Sequence, residues 1–158
     1  MGKKKAKPQS NVIAQNRRAR FDYHVSDTFE AGVELKGWEV KSAREGKVQL
    51  TDTYVDIQKG EAWLLNAHFT ALKTVSTHYV IEPDRIRKLL LNRKEIDRLE
   101  DAANQKGYTI VCTKMYWKAH LIKVEIGLAK GKKQHDKRET EKNRDWDRQK
   151  ARLLRTVD

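Results

Sequence analysis

The stretch YTIVCTKMYWKAHLIKVEIGLA, residues 108–129, decides the fold. Ile122, Val124, Ile126 and Leu128 take every second position, with Lys123 and Glu125 between them, which is the period of a half-buried strand. The preceding YTIVCTKMYW is rich in β-branched and aromatic residues, and KAH is short enough to fold the chain back on itself. The spacing predicts an antiparallel hairpin.

Working upstream, NRKEIDRLEDAANQKG is the clearest helix. Asn92 and Glu95 have capping-box spacing, Ile96, Leu99 and Ala103 share one face, and Gly107 suits the C-terminal stop. VQLTDTYVDIQ alternates through Thr53, Val55 and Ile57, and KGE then turns the chain into AWLLNAHFTAL, a second hairpin. Residues 73–84 read as loop. GWEVKSAREG, between Gly37 and Gly46, fits a short helix or a turn. FDYHVSDTFEAGVEL, residues 21–35, is mainly strand-like, with Gly32 marking an expected bulge. These elements amount to five or six short antiparallel strands with one good helix before the final hairpin. The economical architecture is a small OB-like antiparallel barrel, because closure removes exposed edges. The expected division is a disordered basic arm over 1–12, the barrel over 13–130 and a basic tail over 131–158.

The charge is carried by the ends. Residues 1–20 hold seven Lys/Arg and no acid, residues 130–158 hold eleven against six, and residues 21–129 hold sixteen of each. The net charge of +12 therefore lies wholly outside the central body. A neutral body with two basic arms suits a polyanion, and nucleic acid first. The opening MGKKKAKPQS has no apolar signal stretch, Ala6 stands where a myristoylation signal wants Ser or Thr, and no run is long enough for a membrane span. A cytoplasmic protein is expected. Cys112 is the only cysteine, which excludes an intrachain disulfide or a thiolate zinc site and reads as a small buried hydrophobe.

Catalytic and metal motifs are weak. GLAKGKK follows a strand as a P-loop does, but Gly127 and Gly131 are one residue too close, and Lys133 stands where Ser or Thr should bind magnesium. His24, His68, His78, His120 and His135 show no paired ligand spacing, so neither a metal nor a cofactor is expected. The acids form no recognisable catalytic pattern. In the tail, Arg144, Arg148, Arg152 and Arg155 make a basic stripe at helical spacing, beside a thin apolar line of Trp146, Lys150, Leu153 and Val157. Such a helix is marginal alone in water and suits a segment that folds on binding.

Several segments together resemble the SsrA-binding protein (SmpB) family: NRRARFDY, TFEAGVELKGWEVKSAREGKVQLTDTYV, RKLLLNRKEI, KGYTIV, KMYWK and GLAKGKKQHDKR. The likeness runs from about Asn11 to Arg155. It implies a non-enzymatic OB-like barrel that binds the tRNA-like domain of tmRNA and enters stalled ribosomes with alanyl-tmRNA and elongation factor Tu, for ribosome rescue and nascent-peptide tagging by trans-translation. The RNA-facing set it implies is Arg17, Arg18, Tyr23, Glu30, Leu90, Asn92, Lys130 and Lys132. The implied ribosome-binding tail, in the decoding centre and the empty mRNA channel, comprises Lys133, His135, Asp136, Lys137, Arg138, Arg144, Trp146, Arg148, Arg152 and Arg155. On spacing alone His135 is a solvated linker histidine; the resemblance reassigns it to the decoding centre. Residue chemistry leaves other positions open. Glu30 fits a hydrogen-bond acceptor for RNA or an organiser of its own loop, Tyr23 a base-stacking ring or a packing residue, and Leu90 the core by default. Asn92 is already explained as a helix cap. The rival classes are a generic OB-type RNA-binding or ribosome-assembly factor and, more distantly, a nuclease using Asp27 and Glu30.

Overall fold

The computed structural model describes residues 11–73, 80–105 and 107–132, together with residues 142, 144, 146, 148 and 149. The first half runs β1 (Val12–Gln15), α1 (Arg17–Asp22), β2 (Tyr23–Val33), α2 (Gly37–Arg44), β3 (Val48–Gln49) and β4 (Tyr54–Gln58). The second half runs β5 (Glu61–Leu65), β6 (His68–Phe69), β7 (Arg87–Leu90), α3 (Arg93–Ala103), β8 (Tyr108–Lys118) and β9 (Leu121–Gly131).

The expected hairpin is present, with β8 and β9 in antiparallel register from Tyr108 opposite Lys130 to Lys118 opposite Leu121. A bulge between Cys112 and Lys114 resets the alternation, so that Ile110, Cys112 and Met115 are all buried. The extra residue increases local twist, which a small closed sheet requires. Pairing then runs β8–β4–β5–β7–β2–β9 and returns from β9 to β8, closing a six-stranded antiparallel barrel. The long β8 pairs with β4 through Ile110 and Val111, and with β1 through Lys114 to Tyr116. Closure leaves no continuous free edge in the ring.

The strands are not uniformly short, since β2, β8 and β9 reach eleven residues each. GWEVKSAREG forms helix α2, and a short ribbon of β3 and β6 lies beside the barrel. The KGE turn joins β4 to β5 with both Lys59 and Gly60 at positive φ, the two-residue form that matches strand twist. Helix α3 has the expected capping box and buries Ile96 and Leu99. Gly32 is not at a bulge. It pairs in register with Leu90 and Lys123, while the β2 bulge lies between Val25 and Thr28. Its smallness answers a close approach, since a Cβ there would sit 3.2 Å from Leu90 Cβ. Gly127 and Gly131, the glycines that invited the P-loop comparison, are residues of β9.

The core is filled by Trp38, Leu50, Val55, Leu64, Phe69, Leu89, Leu99, Ile110, Met115, Val124 and Ile126, among others. It also holds a charge pair that hydrophobic patterning does not predict. Glu39 of α2 and Arg87 of β7 are both fully buried. Arg87 donates to Glu39 and to the carbonyls of Ala67, Arg85 and Pro83, and its guanidinium lies 4.1 Å from the Phe69 ring centre. Glu39 Oε1 also accepts from Arg85 at 2.6 Å and from the Lys36 amide at 2.7 Å. Burial pushes the Glu39 carboxyl up, but the hydrogen bond from Arg85, the Lys36 amide and the Arg87 charge together hold it below the ordinary glutamate value.

Candidate nucleic-acid interface

The outer surface over β8, β9 and β2 gathers the RNA-facing residues that the family resemblance implies. Its first end is organised by Asn16. This buried side chain caps α1 by accepting from the Ala19 amide at 3.0 Å, and it donates to the Cys112 carbonyl at 3.0 Å. The Asn16 amide donates to the Thr113 carbonyl, so helix and strand are clamped together. Ala19 is small enough to pack on Val111 and Ala129, with Tyr23 and Val25 alongside. That packing points Arg17, Arg18 and Arg20 outward.

Arg18 lies 3.6 Å from both Asp22 and Asp52, and Arg20 lies 4.0 Å from Glu125. Tyr23 packs on the small cluster under α1 and is half-buried. Lys130 is exposed with its ammonium 5.7 Å from the Tyr108 ring centre, and the Lys132 amide donates to the Asp22 carbonyl. Arg17, Arg18 and Tyr23 therefore lie at one end of the wall, and Lys130 and Lys132 follow at the same end of β9, Lys130 on the strand face of Leu128 and not that of Ala129.

Glu30, Leu90 and Asn92 mark the other end. From Tyr23 to Gly32 the chain advances nine residues, roughly 30 Å if fully extended. Leu90 is 51% exposed, not core, because Leu89 takes the inward position of β7. One rank across the wall is Leu90, Gly32, Lys123 and Tyr116. Asn92 follows, exposed, with Oδ1 accepting from the Glu95 amide at 2.9 Å; the cap leaves its NH₂ group pointing away from that bond.

Glu30 is exposed and accepts from the Tyr116 hydroxyl and, at 2.9 Å, from Lys118 Nζ. These hydrogen bonds, the tyrosine's first, hold its carboxyl below the ordinary range. Partial burial and the same bond to Glu30 push the Tyr116 hydroxyl well above its usual value, so it stays protonated. Tyr116, Lys118 and Lys123 were not singled out in the sequence. The KMYWK segment held two of them, but their meeting with Glu30 across β9 depends on the β8 bulge.

Asp27, the other half of the nuclease reading, is ion-paired with Arg98 at 3.0 Å. Among the described residues no group of three or more His, Cys, Asp or Glu is placed to hold a metal ion. Cys112 is buried as expected, and burial pushes its thiol up to about 12. No helix among the described residues is long and apolar enough to cross a membrane.

Of the tail residues, Lys133, His135, Asp136, Lys137, Arg138, Arg152 and Arg155 lie outside the described residues. Arg144, Trp146 and Arg148 are helical and exposed, with Arg144 lying 5.6 Å from the ring centre of Phe21 on α1.

A closed antiparallel barrel whose outer wall mixes arginines, lysines and tyrosines defines a nucleic-acid-binding β-barrel. The family model described as SmpB protein matches residues 13–156. The SsrA-binding protein of Chromohalobacter salexigens is 59% identical over 155 residues, 98% of this chain and 99% of that one. That of Saccharophagus degradans is 58% identical, covering 96% and 95%. A solved chain from "tmRNA-SmpB: a journey to the center of the bacterial ribosome" is 41% identical, covers 82% of this chain and 94% of its own, and superposes with a TM-score of 0.66. The chain belongs to the SmpB family, the SsrA-binding proteins.

Proposed function

We propose that this protein binds tmRNA through the outer wall of β8, β9 and β2 and acts with it on stalled ribosomes in trans-translation. The observation that carries the reading is family membership over nearly the whole chain, joined to the exposure of Arg17, Arg18, Lys130, Glu30, Leu90 and Asn92. The partner within tmRNA is its tRNA-like domain, and the complex travels with elongation factor Tu as alanyl-tmRNA in the cytoplasm.

Phosphate contacts from Arg17, Arg18, Lys130 and Lys132 supply affinity and orientation. Leu90 and the Asn92 amide supply contacts that depend on the fold of the RNA. Lys133, His135, Asp136, Lys137 and Arg138 belong to the decoding centre. Arg144, Trp146, Arg148, Arg152 and Arg155 line the mRNA channel. No chemical step is assigned to any side chain; the mechanism is occupancy and positioning. A tagging assay on stalled ribosomes with His135→Ala tests the tail assignment. Impaired tagging with unchanged affinity for the tRNA-like domain is expected, and an unaltered tagging rate contradicts it.

A further inference from the structure

The acid on this wall poses a physical problem. A carboxylate facing a polyanion is repelled, yet Glu30 is exposed on a surface assigned to RNA. Its oxygens are already engaged, Oε2 by the Tyr116 hydroxyl and Oε1 by Lys118 Nζ. We propose that Tyr116 and Lys118 are the groups that meet the ribose–phosphate backbone of the bound RNA, and that Glu30 is a positioning residue acting through them. This rests on the functional reading above and assigns roles within that surface.

An ammonium has three donors, and Lys118 commits one to Glu30, so two remain for phosphate oxygens. The Tyr116 hydroxyl gives its proton to Glu30, which leaves its oxygen to accept from a ribose 2′-OH, the group that separates RNA from DNA. Lys114 Nζ sits 5.5 Å from the Tyr116 ring centre, so one face of the ring is covered by a cation. That favours contact through the hydroxyl over stacking of a base on that face. Lys123 stands opposite Tyr116 in the register and opposite Gly32 on the other side, where the Leu90 side chain closes over the glycine. Without Glu30, two long side chains lose their common anchor and must be ordered by the RNA itself, at an entropic cost.

The sign of one substitution separates this from simple electrostatics. Glu30→Gln removes a negative charge beside an RNA site, and charge alone predicts tighter binding. Positioning predicts binding weaker by about tenfold, the scale of lost charged hydrogen bonds. The test is titration of the tRNA-like domain with the full-length protein at several salt concentrations, using Glu30→Gln in the wild type and in a Tyr116→Phe/Lys118→Ala background. The expected result is a loss in the wild type and no further loss in the double background. Lys118→Ala should lower the salt slope by about one phosphate contact.

Tighter binding by Glu30→Gln overturns the proposal, and so does a full loss retained in the double background, which means that Glu30 touches RNA itself. Melting temperatures of each variant register any folding defect directly. Competition of wild-type binding by an elongator tRNA reads the functional assignment separately. Lost preference there contradicts the function, whereas the background comparison decides the role of Glu30.

Discussion

At the residue scale, Asn92 and Glu39 show how one side chain can serve stability, function or both. Asn92 caps α3 through Oδ1, so Asn92→Ala confounds about 1 kcal/mol of lost capping with any loss of RNA contact. Asn92→Asp keeps the cap oxygen and removes the amide donors. Thermal melting should be nearly unchanged, and affinity for the tRNA-like domain should fall; retained affinity contradicts a direct contact by the amide. Glu39 is the opposite case, remote in role from RNA. Removing one partner of a buried, hydrogen-bonded charge pair costs about 3–5 kcal/mol, so Glu39→Ala should lower the urea midpoint by that equivalent. Because its folded-state carboxyl is held below the ordinary glutamate range, Glu39 contributes stability above that range and loses it as pH falls through the folded value. Acid titration of stability should therefore be shallower in Glu39→Gln than in the wild type. An equal slope removes Glu39 as a source of the acid transition.

At the element scale, α1 is the mount for Arg17 and Arg18, and it is attached through the Asn16 bonds to Cys112 and Thr113 and the packing of Ala19 on Val111 and Ala129. Asn16→Ala strips the helix cap and leaves the Cys112 carbonyl without its side-chain donor, a loss of about 2–3 kcal/mol. Chemical denaturation checks the magnitude, and RNA affinity measured well below the transition should also fall because the arginines lose their mount. Ala119, in the β8–β9 turn, has φ of 55°, a conformation that glycine adopts without steric cost. Ala119→Gly should leave stability unchanged or raise it by up to about 1 kcal/mol, and a clear loss on melting contradicts that account of the turn.

These elements also show what could be read in advance. The final hairpin and α3 were legible because their signals are local: a two-residue period, a capping box and an apolar face. Helix α1 was not, since its stabilising groups, Cys112, Val111 and Ala129, lie about a hundred residues away in sequence. Glu39 lies in GWEVKSAREG, which fits a short helix or a turn and carries no local signal for a buried acid. Its burial follows from Arg85 and Arg87 arriving on another strand. Leu90 was assigned to the core by chemistry, and register places its neighbour Leu89 there instead. Tyr116 and Lys118 meet Glu30 only through pairings across β9, so their place on the wall was invisible to spacing.

At the scale of the whole molecule, the proposed function assigns binding of the tRNA-like domain to the barrel wall and engagement of the ribosome to the tail. The cut that tests this division falls after Lys132, because Gly131 still pairs with Tyr23 and the Lys132 amide still bonds to Asp22. Truncation there should leave affinity for the tRNA-like domain within a few-fold and abolish tagging. Equal loss of both activities contradicts separate roles. A net charge of +12 ensures some RNA binding at low ionic strength, so affinity alone decides little.

The most direct measurement is therefore a titration of the full-length protein against the tRNA-like domain of tmRNA at fixed physiological salt, with an elongator tRNA and an unrelated RNA hairpin as competitors. A clear preference for the tRNA-like domain is the predicted result. Equal affinity for all three contradicts the account, leaving a basic barrel that grips RNA by charge alone.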